Sequence, residues 1–419
     1  MVGTGVFTSL GYQIAGTPAV FPLLLLWVVG GLIALCGALS YGELAAALPR
    51  SGGEYHYLSV IYHPAVGFLS GWASATVGFA APTALAAVAL GEYVHRIYPA
   101  TSVRGLAALV VVVLALVHAR SVRLGGRVQV VLTLLKVAVV VFLILAACWP
   151  GAPNVLPAAG IRPVVGDGAL VLSPAFAVSL VYVSYAYSGW NAAAYITGEI
   201  EAPQRNLPRI LLTGTALVAA LYVGLNYAFL RVTPLPELSG EAEVGLIAAR
   251  QFLPPAAANL MGLTIAALLT STISAMTFAG PRIVQTIGED LPALRWLAHR
   301  QSGGVPLRAL LVQTALALAF ILSGSFEQVL VYAGFVLSLF TFLTVAGVFI
   351  LRVRRPDLPR PYRAWGYPVT PLIFLLLNGW TMWFLIEGRP AESLAGVATL
   401  LVGLPLYFVL TRPRRIARI

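Results

Sequence analysis

The sequence predicts an all-α protein that crosses a membrane many times. Three observations predict it. Of the 419 residues, 59% are hydrophobic and only 10% are charged, too few polar groups to cover a soluble domain of this length. Continuous apolar runs long enough to span a bilayer recur along the whole chain, which excludes a β-barrel of short alternating strands. The basic residues, 26 in number and all but one arginine, collect at the ends of those runs. The net charge of +11 would by itself suit nucleic acid, but arginine sorted to one side of a membrane accounts for it.

Twelve spans follow in order. The first is a stub over residues 1–15, carrying M-V-G-T-G-V-F. The second, 19–48, stops at Pro49 and Arg50. The third, 66–97, ends at Arg96, and the fourth, 105–119, lies between Arg104 and Arg120. The fifth, 128–149, follows Arg127, and the sixth is 174–198. Arg209 and Arg231 bracket the seventh, 209–230. The eighth and ninth are 255–287 and 307–323. The tenth, 328–352, runs into Arg352, Arg354 and Arg355. The last two, 368–387 and 394–411, precede Arg389 and an arginine-rich tail that reads as an anchor against anionic lipid.

The short loop 16–18 has no basic residue. If it is external, nineteen arginines fall in cytoplasmic segments and six outside. That asymmetry supports the span count and places both termini in the cytoplasm of a multi-pass cell-membrane protein. Glu237, Glu241 and Glu243 cluster in the segment 233–251, an external loop with room for a short helix. The N-terminus has no basic region ahead of its first apolar residues, so no cleavable signal peptide is expected. Cys36 and Cys148 both lie in apolar spans and suggest neither disulfide nor zinc.

Two spans contain helix-breaking chemistry. Gly3 and Gly5 flank Thr4 in the first. Ser188, Gly189 and Asn191 interrupt the sixth, in V-S-Y-A-Y-S-G-W-N-A-A-A-Y over 183–195. In lipid, backbone freed from a helix is tolerated only where it lines a cavity or is buried in protein. A half-helix starting at such a break points N–H groups at a carboxylate, and one ending there offers carbonyls to a cation. The breaks lie five spans apart, as an inverted five-plus-five repeat requires, and matched interruptions of this kind mark a transporter's binding site. Ordinary helix-packing glycines are the plainer alternative.

The sole lysine, Lys136, lies nine residues beyond Arg127, or about 13 Å along a helix. In a core about 30 Å thick it falls near the midplane, where an ionisable group is costly and marks function by default. Its plainer alternative is a tie between helices through carbonyl contacts.

These segments are where the chain becomes recognisable. It resembles the amino acid–polyamine–organocation superfamily, and within it the L-type amino acid transporter branch. The resemblance rests on G-T-G-V-F at 3–7 and G-E-L-A-A-A-L-P-R-S-G-G-E-Y-H-Y-L at 42–58. It rests most on S-Y-A-Y-S-G-W-N at 184–191 followed by G-E-I-E-A-P-Q-R-N-L-P-R at 198–209. A-G-P-R at 279–282 and V-P-L-R at 305–308 fit the end of the eighth helix and the start of the ninth.

The resemblance implies a LeuT-like fold with a transport core over 1–352. Repeat one would be 1–149 and repeat two 174–352, with two further helices and a basic tail over 353–419. It implies an amino acid held at the midplane between helices one and six. Backbone around Gly3, Thr4, Gly5 and Val6 would hold the α-carboxylate, and carbonyls near Tyr185, Ala186 and Ser188 the α-ammonium. Tyr185 would be the external gate, and Gly189, Trp190 and Asn191 would line the side-chain pocket. Preorganised dipoles at both charges are what a zwitterion needs in low dielectric. Lys136, in L-T-L-L-K, matches the family's fifth-helix lysine. It would occupy the place of the sodium ion in sodium-coupled relatives, bonding carbonyls of helix one and hydroxyls of helix eight, with Ser271, Thr272 and Ser274 as candidates. Sodium independence follows, with exchange and proton coupling both open.

Two departures matter. Fifteen residues at about 1.5 Å each cannot cross a core of about 30 Å, so the cytoplasmic half of the first helix is expected upstream of Met1. Animal relatives pair with a glycoprotein through a cysteine after helix three. The loop 98–103 has none, so no covalent glycoprotein partner is expected.

Glu43 and Glu199, at the inner ends of spans two and six, read as inner-gate residues paired with cytoplasmic arginines. The five histidines fall at loops or span ends without metal-ligand spacing, so no metal and no cofactor is expected. No Walker lysine motif exists, which excludes an ATP-driven pump on this chain. The expected function is a secondary transporter for neutral amino acids, not an enzyme. Transport of cationic amino acids or polyamines and a nontransporting sensor of the same fold are the alternatives.

Overall fold

The structure, a computed structural model, describes residues 2–120, 125–157, 160–299 and 306–411, with the side chains of 125–129 and 199 left aside. Among the described residues it is all helix and turn. A short helix α1 (Gly5–Ile14) is followed by α2 (Val20–Ala47), α3 (Glu54–Ile61) and α4 (Pro64–Ala73). Then come α5 (Ala80–Ile97), α6 (Val103–Arg120), α7 (Gly125–Ala147), α8 (Asp167–Val171) and α9 (Pro174–Tyr187). The second half comprises α10 (Pro203–Val232), α11 (Leu235–Leu238), α12 (Val244–Phe252), α13 (Pro255–Asp290) and α14 (Leu307–Ser323). The last three are α15 (Phe326–Arg354), α16 (Val369–Gly388) and α17 (Pro390–Thr411).

Nine stretches among the described residues are long and apolar enough to span, with α4 through α5 counted as one. Each of the twelve expected spans has a helix in its place. Two are interrupted in their interior, the third against expectation and the sixth at the break its sequence predicts. The third span is not uninterrupted: Ser74–Gly78 forms a wide π-type turn between α4 and α5. The sixth stops at Tyr187 and resumes as a tight 3-10 turn, Ala192–Glu199. The loop 233–251 holds two short helices, α11 and α12.

Start signals are local. Ser173 caps α9 by accepting from the Phe176 N–H at 3.2 Å, with Pro174 in the first turn. Ser325 and Gln328 form a reciprocal capping box on α15. Each satisfies donors that the helix itself cannot.

The core is a bundle in which α2 packs on α9 and α10, α5 on α13, and α15 on α16 and α17. Apolar side chains also cover the outside: Leu109, Val130, Leu134 and Leu401 are each about 60% exposed or more. A soluble surface does not carry apolar area on that scale, and lipid does.

One buried clamp closes the arginine-rich end. Glu43, 1% exposed at the end of α2, accepts from Arg352 Nε at 2.8 Å and Nη2 at 2.6 Å, and from the Ala364 N–H at 2.7 Å. Arg360 Nε lies 3.5 Å away. The carboxylate therefore ties α2 to the end of α15 and the chain beyond it. Breaking a buried pair from one side costs about 3–5 kcal/mol, because the partner charge is stranded. Glu43→Ala is expected to lower the melting temperature of the solubilised protein clearly, and an unchanged melting curve would contradict the clamp.

Candidate functional site

The two breaks meet. Helix α1 starts at Gly5, and the Phe7 N–H reaches the Thr4 carbonyl at 3.0 Å. The first turn of any helix leaves N–H groups without helical acceptors. Helix α9 ends at Tyr187, Ser188 N bonds the Tyr185 carbonyl at 3.0 Å, and the chain turns through Gly189 at φ +88°. That end leaves carbonyls unsatisfied by its own helix. A Cβ placed on Gly5 would lie 2.4 Å from Ala186 Cα. Glycine is therefore required for the start of α1 to touch the end of α9.

Between them lies a cavity of about 110 Å³. Gly3, Thr4 and Gly5 line one side; Tyr185, Ala186 and Ser188 line another; Lys136 and Thr272 complete it. The Thr4 hydroxyl is buried and has no hydrogen-bond partner among the described residues, so a donor stands idle at the first turn of α1. Val6 is fully buried beneath this turn.

A second cavity of about 120 Å³ adjoins the first and shares Tyr185, Ser188, Pro82 and Met276 with it. Gly189, Trp190 and Asn191 line it, together with Phe374 and Asn378 of α16 and polar groups Ser74, Ser338 and Thr341. Tyr185, 6% exposed, stands at the junction of the two. Among the described lining residues of both cavities, Lys136 is the one charged side chain.

Lys136 is 3% exposed on α7. Its Nζ donates to Thr272 Oγ1 at 2.7 Å on α13 and to the Val2 carbonyl at 3.2 Å, at the entry to α1. The lysine thus joins three elements. Of the three hydroxyls expected near it, Thr272 is there and Ser271 is fully buried on the same helix. Ser274 is not: its Oγ lies 2.8 Å from His118 Nε2 on α6. Positions 272 and 274 are about 200° apart around a helix of 3.6 residues per turn, so they cannot both face α7.

Several residues at the site carried no distinctive signal. On the face of the 233–251 segment, Tyr12 stacks on Tyr182 at 6.1 Å and on Phe326 at 5.5 Å, so an aromatic stack joins α1, α9 and α15. Tyr182 donates to Glu327 at 2.5 Å, and Arg389 pairs with Glu327. The chain from that segment seals the top of α1, with Gly240 N bonding the Gly11 carbonyl at 2.9 Å. Burial pushes the Glu243 carboxyl above its usual range, and Arg96, 3.3 Å away, pulls it back. On the opposite face, Glu54 receives hydrogen bonds from Tyr41, Asn191 and Tyr195. Of the two expected gate acids there, Glu43 forms the clamp described above. Glu199 ends the 3-10 turn, and its side chain lies outside the described residues.

The comparisons agree in kind. The amino acid permease family matches residues 1–404. The b(0,+)-type amino acid transporter 1 of Homo sapiens is 30% identical over 423 residues, covering 98% of this chain and 84% of that protein. The Mus musculus counterpart is 29% identical over 419 residues, with the same coverage. The large neutral amino acids transporter small subunit 2 of Homo sapiens is 29% identical over 426 residues, covering 98% of this chain and 77% of that protein.

Proposed function

The chain belongs to the amino acid permease family, and on that premise we propose that it moves neutral amino acids across the cell membrane by alternating access, independent of sodium. It is a multi-pass membrane transporter rather than an enzyme. The α-carboxylate would take the N–H groups and idle Thr4 hydroxyl at the start of α1. The α-ammonium would take carbonyls at the end of α9, and the side chain would enter the second cavity past Tyr185. Trp190 and Asn191 would meet it there.

The observation that carries the neutral preference is the absence of a carboxylate among the described lining residues. A cationic side chain or a polyamine would be buried there with no carboxylate in contact, since Glu54 lies behind Asn191 and Tyr195 and is already bonded to both, at a cost of several kcal/mol. Lys136 would serve as a fixed cation where coupled relatives use an ion, with Thr272 as its partner and Ser271 beside it. Exchange and proton coupling both fit that role. The proposed plan is a five-plus-five inverted repeat over 1–352 with two appended helices and cytoplasmic termini. One relative is named as a small subunit. Because the loop 98–103 has no cysteine, any partner of this chain is proposed to bind without a disulfide there.

Reconstituted protein should take up labelled leucine or alanine saturably. Arginine and putrescine should compete at least about tenfold more weakly, the factor that about 1.4 kcal/mol supplies. Equal competition by arginine would overturn the neutral preference. Binding of leucine with no flux under a proton gradient or internal amino acid would favour the sensor reading.

A further inference from the structure

The segment Ser51–Glu54 is polar, turns sharply, and leads from α2 into α3. It docks on the 3-10 turn that follows the break in the sixth span. Ser51 Oγ accepts from the Gly198 N–H at 2.8 Å. The Gly52 N–H donates to the Tyr195 carbonyl at 3.3 Å. Gly53 sits at φ +51°, and a Cβ there would lie 2.7 Å from the Tyr195 ring. Both its backbone angle and that contact demand glycine. Glu54, 1% exposed, then accepts from Tyr195 OH at 3.0 Å, from Asn191 Nδ2 at 2.7 Å, and from Tyr41 OH on α2 at 2.6 Å.

Three of four consecutive residues therefore bond one short turn and the fourth, Gly53, packs on it, while Glu54 also holds a residue that lines the second cavity. Asn191 donates to Glu54 with one amide hydrogen, which fixes the amide plane and leaves its oxygen for other work. A carboxylate buried this deeply persists only with its acceptor sites used. Removing the 3-10 turn from its place would take the Tyr195 donor from Glu54 and leave this buried carboxylate short of partners. Docked and undocked states are thus separated by a discrete set of bonds rather than by a gradual slide.

We propose that Glu54 is a positioning residue for transport: it orients Asn191 and latches the 192–199 turn to the Ser51–Glu54 segment, so that the arginine-rich face opens only when this latch breaks. The proposal rests on the transport reading above for its functional consequence. Its structural part, the latch itself, stands on the hydrogen bonds alone. Substrate contact at Asn191 would change the geometry that Glu54 holds, and so link occupancy of the cavity to release of the turn.

Hydrogen exchange of the full-length solubilised protein tests the latch. Glu54→Ala should raise exchange in the peptide covering 192–199 by about tenfold or more, because that turn would open locally. Peptides from α6 should be unchanged. If Glu54→Ala exchanges throughout and has failed to fold, the milder Glu54→Gln and Tyr195→Phe decide. Each should raise exchange in 192–199 alone, by less, and Glu54→Asp should recover part of the protection. Unchanged exchange of that peptide in both mild variants would overturn the latch. In proteoliposomes, the latch-weakened variants should release labelled amino acid into empty medium faster relative to exchange, with little change in KM, a split that a merely looser fold would not give. A wild type that transports nothing would sink the transport reading, while the exchange experiment would still decide the latch. Wild-type ratios of release to exchange in every variant would overturn its functional role.

Discussion

Lys136→Met is expected to cut amino acid transport by at least about tenfold while leaving the protein folded. Methionine keeps the unbranched stem that packs between helices and removes the ammonium. Thr272 Oγ1 and the Val2 carbonyl then lose their donor, at 2.7 Å and 3.2 Å respectively. Hydrogen bonds to a charged group contribute about 1.5–3 kcal/mol each, and about 1.4 kcal/mol is a factor of ten in rate or affinity. The two bonds tie the entry of α1 to α13 through α7, so their loss acts on the geometry of the cavity that Thr4, Gly5 and Ala186 line. Lys136→Arg should not rescue, because a planar guanidinium is wider and presents its donors in a fixed fork. Counterflow of labelled leucine into proteoliposomes, beside a melting curve of the same preparation, checks both halves. Normal transport by Lys136→Met would reduce the lysine to a tie between helices.

Gly5→Ala is expected to abolish uptake more completely than any other single methyl added to the site. Its Cβ would lie 2.4 Å from Ala186 Cα and 2.6 Å from Ala186 Cβ. Backbone cannot rotate aside as a long side chain can, so α1 and the end of α9 must separate. Overpacking of this kind costs about 1–3 kcal/mol, and here the displaced atoms are those proposed to hold both charges of the substrate. Leucine binding and uptake should both be lost with a modest fall in melting temperature. Ala186→Gly added to Gly5→Ala should fail to rescue, because the Ala186 Cα remains in the way. Wild-type binding by Gly5→Ala would contradict the close approach of the two breaks.

The breaks were legible because glycine, serine and asparagine inside an apolar run leave few other readings, and their spacing joined them. Lys136 was legible because a single charge deep in a span has no bland surface to occupy. The direction of Ser274 was only half legible: spacing puts 272 and 274 on different faces, but which of them meets α7 is set by packing. The π-type turn at Ser74–Gly78 was hidden because S-A-T-V-G is compatible with plain helix. Glu54 is illegible in sequence for a different reason. In sequence it is an acid in a polar loop, which usually means solvent, and only tertiary docking buries it against Asn191 and Tyr195. Tyr12 and Phe326 likewise carry no distinctive local pattern, and only the stack with Tyr182 joins their three helices. Long-range pairings of this kind are set by packing, which a local pattern does not encode.

Counterflow of labelled leucine in sodium-free medium tests the central claim most directly. Proteoliposomes loaded with unlabelled leucine should accumulate the label equally in choline and in sodium buffers, and Lys136→Met vesicles should not accumulate it in either. Accumulation that requires sodium, or none by the wild type in any buffer, would contradict an amino acid site in which Lys136 takes the place of a coupling ion.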